Sequence, residues 1–340
     1  MLDEFQKLGD VAAAVATSMT SLRPKSRQEW LSGRDKTVGA SELPALFGVH
    51  AHMTPFELFA IKSGQYAREF AEIEVREASI HLPPTERGNL LEPVAFELAQ
   101  RLRPHWTVQP NQIPGGYVFV DTVSRLSCTP DAFLIDPDRS GRGALQVKSL
   151  ERSIFRKTWM ADGETVEPPI SVAVQAIVDA TLSGCSWACA AAIVVGFTVD
   201  FYLVDIPLHG RMMARARELV ADFWRRIEAN EPYAPDFARD GAVIAGLYGE
   251  DDGSHIDLSG NAGLAELLDR RAALKAREAD ARAAEKDRKA IDAELVFALG
   301  NAARGTLADG REISAKTTRR KGFTVEPTTF RSVRVKGEAA

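Results

Sequence analysis

Apolar positions change their period along the first 230 residues of the chain. Leucines and valines recur at helical spacing between residues 86 and 102, which predicts a helix. Further on, short apolar runs separated by turn residues predict strands. The remaining predicted elements are strands at 117–120, 132–135, 144–148, 188–196 and 199–206, and helices near 170–183 and 208–229. This order predicts an α/β (α+β) fold with a mixed central sheet flanked by helices.

The same pattern divides the chain into five predicted segments. These are an N-terminal helix at 1–22, a globular domain at 23–235, a linker at 236–262, a helical or coiled-coil arm at 263–300 and a small basic, β-like tail at 301–340. The tail has nine basic and four acidic residues, although the 340-residue chain has a formal net charge of −5. Because phosphate binding depends on local basic clusters, this total charge does not exclude an enzyme that acts on nucleic acid.

Composition narrows the class of protein. No apolar run approaches the roughly 20 residues that a membrane span requires, so we expect no membrane association. The first residues are acidic from Asp3 and have no apolar signal core, so we expect a cytoplasmic protein. Three cysteines without a CxxC pair argue against disulfides, and histidines without HExxH spacing argue against zinc. The sequence has no GxxxxGK[ST] loop, so it gives no indication of an ATP motor.

The segment from Thr129 to Lys148 contains the most informative chemistry. Asp131 begins one predicted strand, and a turn separates it from Gln146, Val147 and Lys148 on the next. Residues two apart on a strand face the same side, so Gln146 and Lys148 point together, towards Asp131 if the strands pair as a hairpin. Val147 then points into the core.

Cleavage of a phosphodiester needs such a set of groups. Oxygen ligands hold a hard divalent cation, which polarises a phosphoryl oxygen and lowers the pKa of an attacking water. A neighbouring lysine orients that water and offsets negative charge in the transition state. Glu92, on the preceding predicted helix, is a further candidate carboxylate. The sequence therefore predicts a metal-dependent nuclease.

Asp131 with Gln146-Val147-Lys148 resembles the PD-(D/E)xK nuclease motif, and the surroundings resemble the lambda-exonuclease or YqaJ-like viral recombinase family. The resemblance runs from about Trp30 to Ile227. Its further matching segments are Trp30, Arg34 and Gly39-Ala40-Ser41-Glu42 at the N-terminal side, then the segments 87–92 and 125–131, and Gln175. The resemblance implies a restriction-endonuclease-like core and makes 23–235 the nuclease domain.

Roles for individual residues are implied by this resemblance. Asp131, Gln146 and the carbonyl of Val147 would hold Mg²⁺ or Mn²⁺, with Glu92 close by. Lys148 would serve the water or the phosphate, and Gln175 would support it. Positions that match the family's 5′-phosphate site are Arg34, Ser41, Arg125 and Thr129. The family digests linear duplex DNA from its 5′ ends in phage-type recombination, as a ring-shaped trimer beside a single-strand annealing protein.

One departure from the family's pattern concerns Gln146, which stands where the family normally has Glu. An amide oxygen can coordinate Mg²⁺, but the lost negative charge weakens the site. Two alternatives therefore stay open. One is a weak or inactive nuclease fold that serves as a DNA-binding module, and the other is an endonuclease of the same fold in restriction or defence.

Overall fold

The computed structural model describes residues 19–67, 73–76, 78–160, 162–258, 260–261, 263–299, 301–307, 309 and 311–316. The chain divides after Leu247 into two compact units, residues 1–247 and 248–340. Within the described residues, no helix is both long and apolar enough to cross a membrane.

The first unit combines helices and strands as the sequence pattern predicts. Its helices in the described ranges are α1 (Arg27–Arg34), α2 (Leu43–Leu46), α3 (Pro55–Lys62), α4 (Pro84–Leu102), α5 (Arg152–Trp159), α6 (Ile170–Leu182), α7 (Gly210–Ala229) and α8 (Gly241–Leu247). Its strands there are β1 (Met19–Leu22), β2 (Val38–Gly39), β3 (Glu74–Arg76), β4 (Ser79–His81), β5 (Thr107–Pro110), β6 (Val118–Asp121), β7 (Leu126–Cys128), β8 (Ala132–Ile135), β9 (Arg142–Glu151), β10 (Trp187–Val195) and β11 (Val199–Ile206).

The main sheet has five strands in the order β11-β10-β9-β8-β5. β9 and β10 run parallel, whereas the other neighbouring pairs are antiparallel. A parallel pair needs a long crossover connection, which here contains α5 and α6. A smaller sheet has the order β1-β6-β7-β2. The predicted α/β class, with a mixed central sheet and flanking helices, is confirmed.

The two faces of the main sheet pack against different helices. Ala144 of β9 shares a core cluster with residues of α6 and α7, whereas Leu145 and Val147 share a second cluster with residues of α4. Because strand residues alternate between faces, Gln146 and Lys148 lie on the side of Ala144. β9 therefore presents two polar side chains towards α6 and buries Val147 on the α4 side.

Two of the predicted segments need correction. The N-terminal helix predicted for 1–22 does not extend over Met19–Leu22, because these residues form β1, which pairs antiparallel with β6. Residues 1–18 lie outside the described residues. The predicted linker at 236–262 contains α8, and its buried Asp240 accepts a hydrogen bond from Thr54 Oγ1 at 2.6 Å. Tertiary pairing in one case and a buried side chain in the other override the local composition.

The second unit contains a long helix, α9 (Gly263–Leu299), within the predicted arm. It has 37 residues, and none of them is buried. A hairpin of β12 (Arg304–Thr306) and β13 (Glu312–Ser314) follows. The rest of the predicted basic tail, residues 317–340, lies outside the described residues.

Candidate active site

A hairpin of β8 and β9 brings Asp131 beside Gln146. Ala132 pairs with Leu145, so Asp131, just before β8, falls opposite Gln146. Asp131 Oδ2 accepts a hydrogen bond from Gln146 Nε2 at 2.6 Å and another from the backbone N–H of Val147 at 2.6 Å. The strand pairing thus fixes one carboxylate oxygen and leaves the other without a hydrogen bond to β9.

A chain of three side-chain hydrogen bonds connects Lys148 to Asp131. Lys148 Nζ donates to Gln175 Oε1 at 2.9 Å, and Gln175 Nε2 donates to Gln146 Oε1 at 2.6 Å. Gln146 Nε2 then donates to Asp131. An ammonium group has donors only, so Lys148 fixes the orientation of both amides. Gln175 of α6 is therefore the residue that joins the lysine to the predicted metal ligands.

Glu92 of α4 lines the same cavity as Asp131 and Lys148. Burial raises the pKa of Glu92 to about 7, helped by the charge of Asp131 and opposed by Lys148. Burial also raises the pKa of Asp131 to about 6, opposed by Lys148 and by the Val147 N–H. Both shifts thus come first from burial, which disfavours the charged form of each carboxyl group.

The residues around Asp131 fit a hard divalent cation. Asp131 and Glu92 offer carboxylate oxygens, and Gln146 and Val147 offer carbonyl oxygens, which are the ligands that Mg²⁺ prefers. Gln146 Oε1 and the Val147 carbonyl each accept one hydrogen bond, from Gln175 and from Gln146 Nε2 respectively. A carbonyl oxygen has two lone pairs, so each retains one for a cation. A bound divalent ion would also place positive charge beside the buried carboxylates of Asp131 and Glu92.

The cavity has a volume of about 800 Å³. It is lined by Asp131, Gln146 and Lys148 and also by Arg34, Ser41 and Thr129. Arg34 Nη2 donates to Ser41 Oγ at 3.0 Å, and the guanidinium lies over the Trp30 ring, 5.1 Å from its centroid. Trp30 Nε1 donates to Thr129 Oγ1 at 3.3 Å. Three of the four residues predicted for a phosphate site therefore line the cavity that also contains Asp131.

Arg125, the fourth predicted residue, is not part of the cavity wall. Its backbone has a positive φ of 58°, and its guanidinium stacks on Trp224 of α7 at 3.5 Å from the ring centroid. Arg125 Nε also donates to the carbonyl of Lys36 at 3.1 Å. The structure thus engages Arg125, which directly precedes β7, in contacts with Trp224 of α7 and with the backbone of Lys36.

Asp179 is a cavity residue that the sequence patterns did not indicate. It lies one turn after Gln175 on α6, is 1% exposed and lines the cavity. Cys128 Sγ contacts its backbone carbonyl at 3.7 Å, and neither carboxylate oxygen has a hydrogen-bond partner among the described residues. Burial raises its pKa well above the usual range, and Asp131 adds to this. The spacing of four from Gln175 was the available signal, because such residues share a helix face.

A comparison with known protein families matches the part of the chain that contains most of the cavity-lining residues. A family model for the YqaJ-like viral recombinase domain matches residues 29–186. No curated protein matches the chain. An alkaline exonuclease from Laribacter hongkongensis is similar in structure, with 16% identity and a TM-score of 0.42 over 64% of this chain and 98% of that one. A phage related exonuclease from Haemophilus somnus 129PT has 12% identity and a TM-score of 0.36, over 62% and 89%.

Similarity at these identities and TM-scores carries no information about substrate or mechanism. The family model, in contrast, spans the cavity-lining residues from Trp30 to Asp179, together with the strands that position them. Residues 29–186 are therefore similar to the YqaJ-like viral recombinase domain.

Proposed function

We propose that the chain is a metal-dependent DNA exonuclease that hydrolyses linear duplex DNA, starting from 5′ ends. The observation that carries the proposal is the single cavity that Asp131 and Lys148 share with Arg34 and Ser41. The cavity has the oxygen ligands and the lysine that phosphodiester hydrolysis needs. It also has the Arg34 guanidinium, which suits the doubly charged phosphate of a terminal nucleotide.

Asp131, Gln146, the Val147 carbonyl and Glu92 would hold Mg²⁺ or Mn²⁺. When bound, the cation supplies Lewis acidity towards the phosphate and lowers the pKa of a water. Lys148 places a positive charge where negative charge develops on the phosphoryl group and orients the water. Gln175 fixes the position of Lys148 Nζ through its 2.9 Å hydrogen bond. Asp131 is thereby held by β9 on one oxygen, with the other available.

Arg34, Ser41 and Thr129 would bind the terminal 5′ phosphate. They line the same cavity as Asp131, and a terminal-phosphate site beside the metal ligands suits an exonuclease better than an endonuclease. A ring-shaped trimer and a single-strand annealing partner remain expectations from the family resemblance. A role in phage-type recombination rests on the same basis.

A second candidate function is a DNA-binding module with weak or no catalysis. The observation in its favour is Gln146, whose amide supplies no negative charge to a cation. Its Nε2 instead donates to Asp131, so the metal-free network is already complete. An assay for DNA cleavage therefore distinguishes the exonuclease from the DNA-binding module.

Digestion of end-labelled linear duplex tests the proposal. Substrates with a 5′ phosphate and a 5′ hydroxyl, and a covalently closed circle, are incubated with Mg²⁺, Mn²⁺ or a chelator. We expect metal-dependent release of nucleotides from the phosphorylated linear duplex and no attack on the circle. Cutting of the circle would indicate an endonuclease. Binding without cleavage in every metal would establish the module.

A further inference from the structure

Glu42 connects Arg34 to a buried lysine, Lys62, that belongs to none of the matched motifs. Glu42 Oε1 lies 3.4 Å from Arg34 Nη2, and Glu42 Oε2 lies 2.9 Å from Lys62 Nζ. Glu42 Oε2 also accepts the Gly39 N–H at 2.8 Å. Gly39 leaves room for this arrangement, since a Cβ there would lie 3.0 Å from Arg34 Nη2. The carboxylate is thus fixed by three donors.

Lys62, the last residue of α3, is held as firmly as the carboxylate that it contacts. Its side chain is 3% exposed, and Nζ donates a second hydrogen bond to the backbone carbonyl of Arg34 at 2.8 Å. Burial lowers the pKa of Lys62, while the charge of Glu42 opposes the shift. A buried ammonium is costly unless it is paired. Lys62 therefore needs Glu42, and it holds the end of α1 through Arg34.

Charge balance shows what Lys62 contributes. Arg34 and Glu42 alone would form a neutral pair, whose attraction for a phosphate would be weak. With Lys62 the three groups carry a net charge of +1, and Glu42 divides its two oxygens between two cations. The Arg34 side chain remains 26% exposed at the cavity. The Lys62 side chain is out of reach of solvent, so it cannot contact a phosphate itself. Its positive charge acts on the site by offsetting Glu42, the partner of Arg34.

We propose that Lys62 is a positioning residue of the end-phosphate site, which offsets the charge of Glu42 so that the cluster around Arg34 keeps a net positive charge for a terminal 5′ phosphate. The inference deepens the proposed function and rests on it. Lys62 touches no substrate in this scheme. Its effect is on the discrimination between phosphorylated and unphosphorylated ends.

A charge-rescue experiment tests the inference without any need for cleavage. Binding of duplexes with a 5′ phosphate or a 5′ hydroxyl is measured in a chelator for the full chain and its variants. We expect the wild-type protein to prefer the phosphate about tenfold, as charge-assisted hydrogen bonds do. Lys62→Met leaves a neutral Arg34–Glu42 pair and should bring the ratio of the two Kd values close to one. The double variant Glu42→Gln/Lys62→Met restores a net +1 and should recover most of the preference.

Lys289→Met is the matched control, because it removes the same charge from an exposed side chain of α9. A general loss of attraction lowers both affinities and leaves their ratio unchanged. Circular dichroism and thermal melting establish that each variant folds, and Lys62→Gln, which keeps a donor without the charge, replaces Lys62→Met if that variant does not. A wild-type ratio in the neutral Lys62 variant would overturn the inference, as would a folded double variant with no recovery.

The same measurements distinguish failure of this inference from failure of the proposed function. An absence of cleavage with a normal Kd ratio in the wild type would remove the nuclease and leave the role of Lys62 intact. A wild-type protein that binds both ends equally has no end-phosphate site and would overturn the assignment of Lys62.

Discussion

Two groups of residues in and beside the cavity have opposite charge balances. In the first group, Asp131 and Glu92 face Lys148, and burial raises the pKa of both carboxylates. In the second group, Arg34 and Lys62 both contact the carboxylate of Glu42, so these three side chains carry a net charge of +1. Under the proposed function, the first group binds a metal cation and the second favours a phosphate. The difference teaches that one cavity can offer different charge environments to a cation and to an anion.

Removal of Lys148 is expected to have the largest effect. Lys148→Ala takes away the charge that offsets the developing phosphoryl charge, so cleavage should fall by about a thousandfold. Asp131→Ala should be equally severe because it removes a metal ligand. Single-turnover cleavage of a labelled linear duplex measures both. Arg34→Ala is the comparison variant, and it should lose end preference more than cutting rate. Near wild-type cutting by Lys148→Ala would remove this active site.

Gln146→Glu sharpens the contrast between the two groups. Gln146 Nε2 now donates a hydrogen bond to Asp131 Oδ2 at 2.6 Å. The new carboxylate would replace this donor with a second negative charge. We expect a less stable metal-free protein and a Mg²⁺ requirement about tenfold lower, because ligand charge tightens the site. Thermal melting in a chelator and titration of cleavage with Mg²⁺ and Mn²⁺ measure the two effects. An unchanged metal requirement would mean that residue 146 is not a ligand.

Arg34 and Arg125, predicted together for the phosphate, should behave differently. Arg125→Ala removes the stacking on Trp224 and should lower the free energy of unfolding by about 1 kcal/mol, with the end preference kept. Arg34→Ala should remove the preference for phosphorylated ends, and Arg34→Lys should not restore it, because an ammonium cannot bind a phosphate bidentately. Denaturant unfolding and paired cleavage assays separate the effects. Loss of end preference in Arg125→Ala would return that residue to the site.

The smallest expected effect is the pH dependence of stability in the metal-free protein. The pKa values of Asp131 and Glu92 are raised to about 6 and about 7, above their unfolded values. Between about pH 4 and pH 7 the folded state then binds more protons, so stability falls as pH rises. We expect the melting temperature to drop by a few degrees across this range. Added Mg²⁺ should counter the drop at pH 8 and have little effect at pH 5. A melting temperature that rises with pH in chelator would contradict the raised pKa values.

Local periodicity was sufficient to predict the catalytic hairpin. Asp131, Gln146 and Lys148 meet because strand residues alternate and a short turn joins β8 to β9, and both facts can be read from adjacent residues. Gln175 and the 5′-phosphate residues came from the family resemblance. The sheet order β11-β10-β9-β8-β5 needed the structure, since it depends on which strands pair after a crossover.

Residues that act through distant contacts escaped prediction for physical reasons. Lys62 meets Glu42 only because α3 packs beside α1 and α2, and a lysine at a helix end usually lies in solvent. Arg125 has a left-handed backbone conformation that turns it towards Trp224, a partner nearly a hundred residues away. Asp179 shares a helix face with Gln175, but its burial depends on neighbours from β7. Each outcome was decided by tertiary packing.

The hydrogen bonds from Lys148 to Asp131 all point the same way, and this polarity gives the site a spectroscopic signature. Gln175 and Gln146 each direct an NH₂ group towards the next acceptor; Gln175 Nε2 donates to Gln146, and Gln146 Nε2 donates both to Asp131 and to the Val147 carbonyl. The side-chain ¹⁵N–¹H resonances of Gln175 should therefore be split widely, and those of Gln146 should both exchange slowly with solvent. Any event at Asp131 alters the last acceptor in the series and should shift both amide pairs together, which makes two neutral side chains internal reporters of an ion that gives no signal itself.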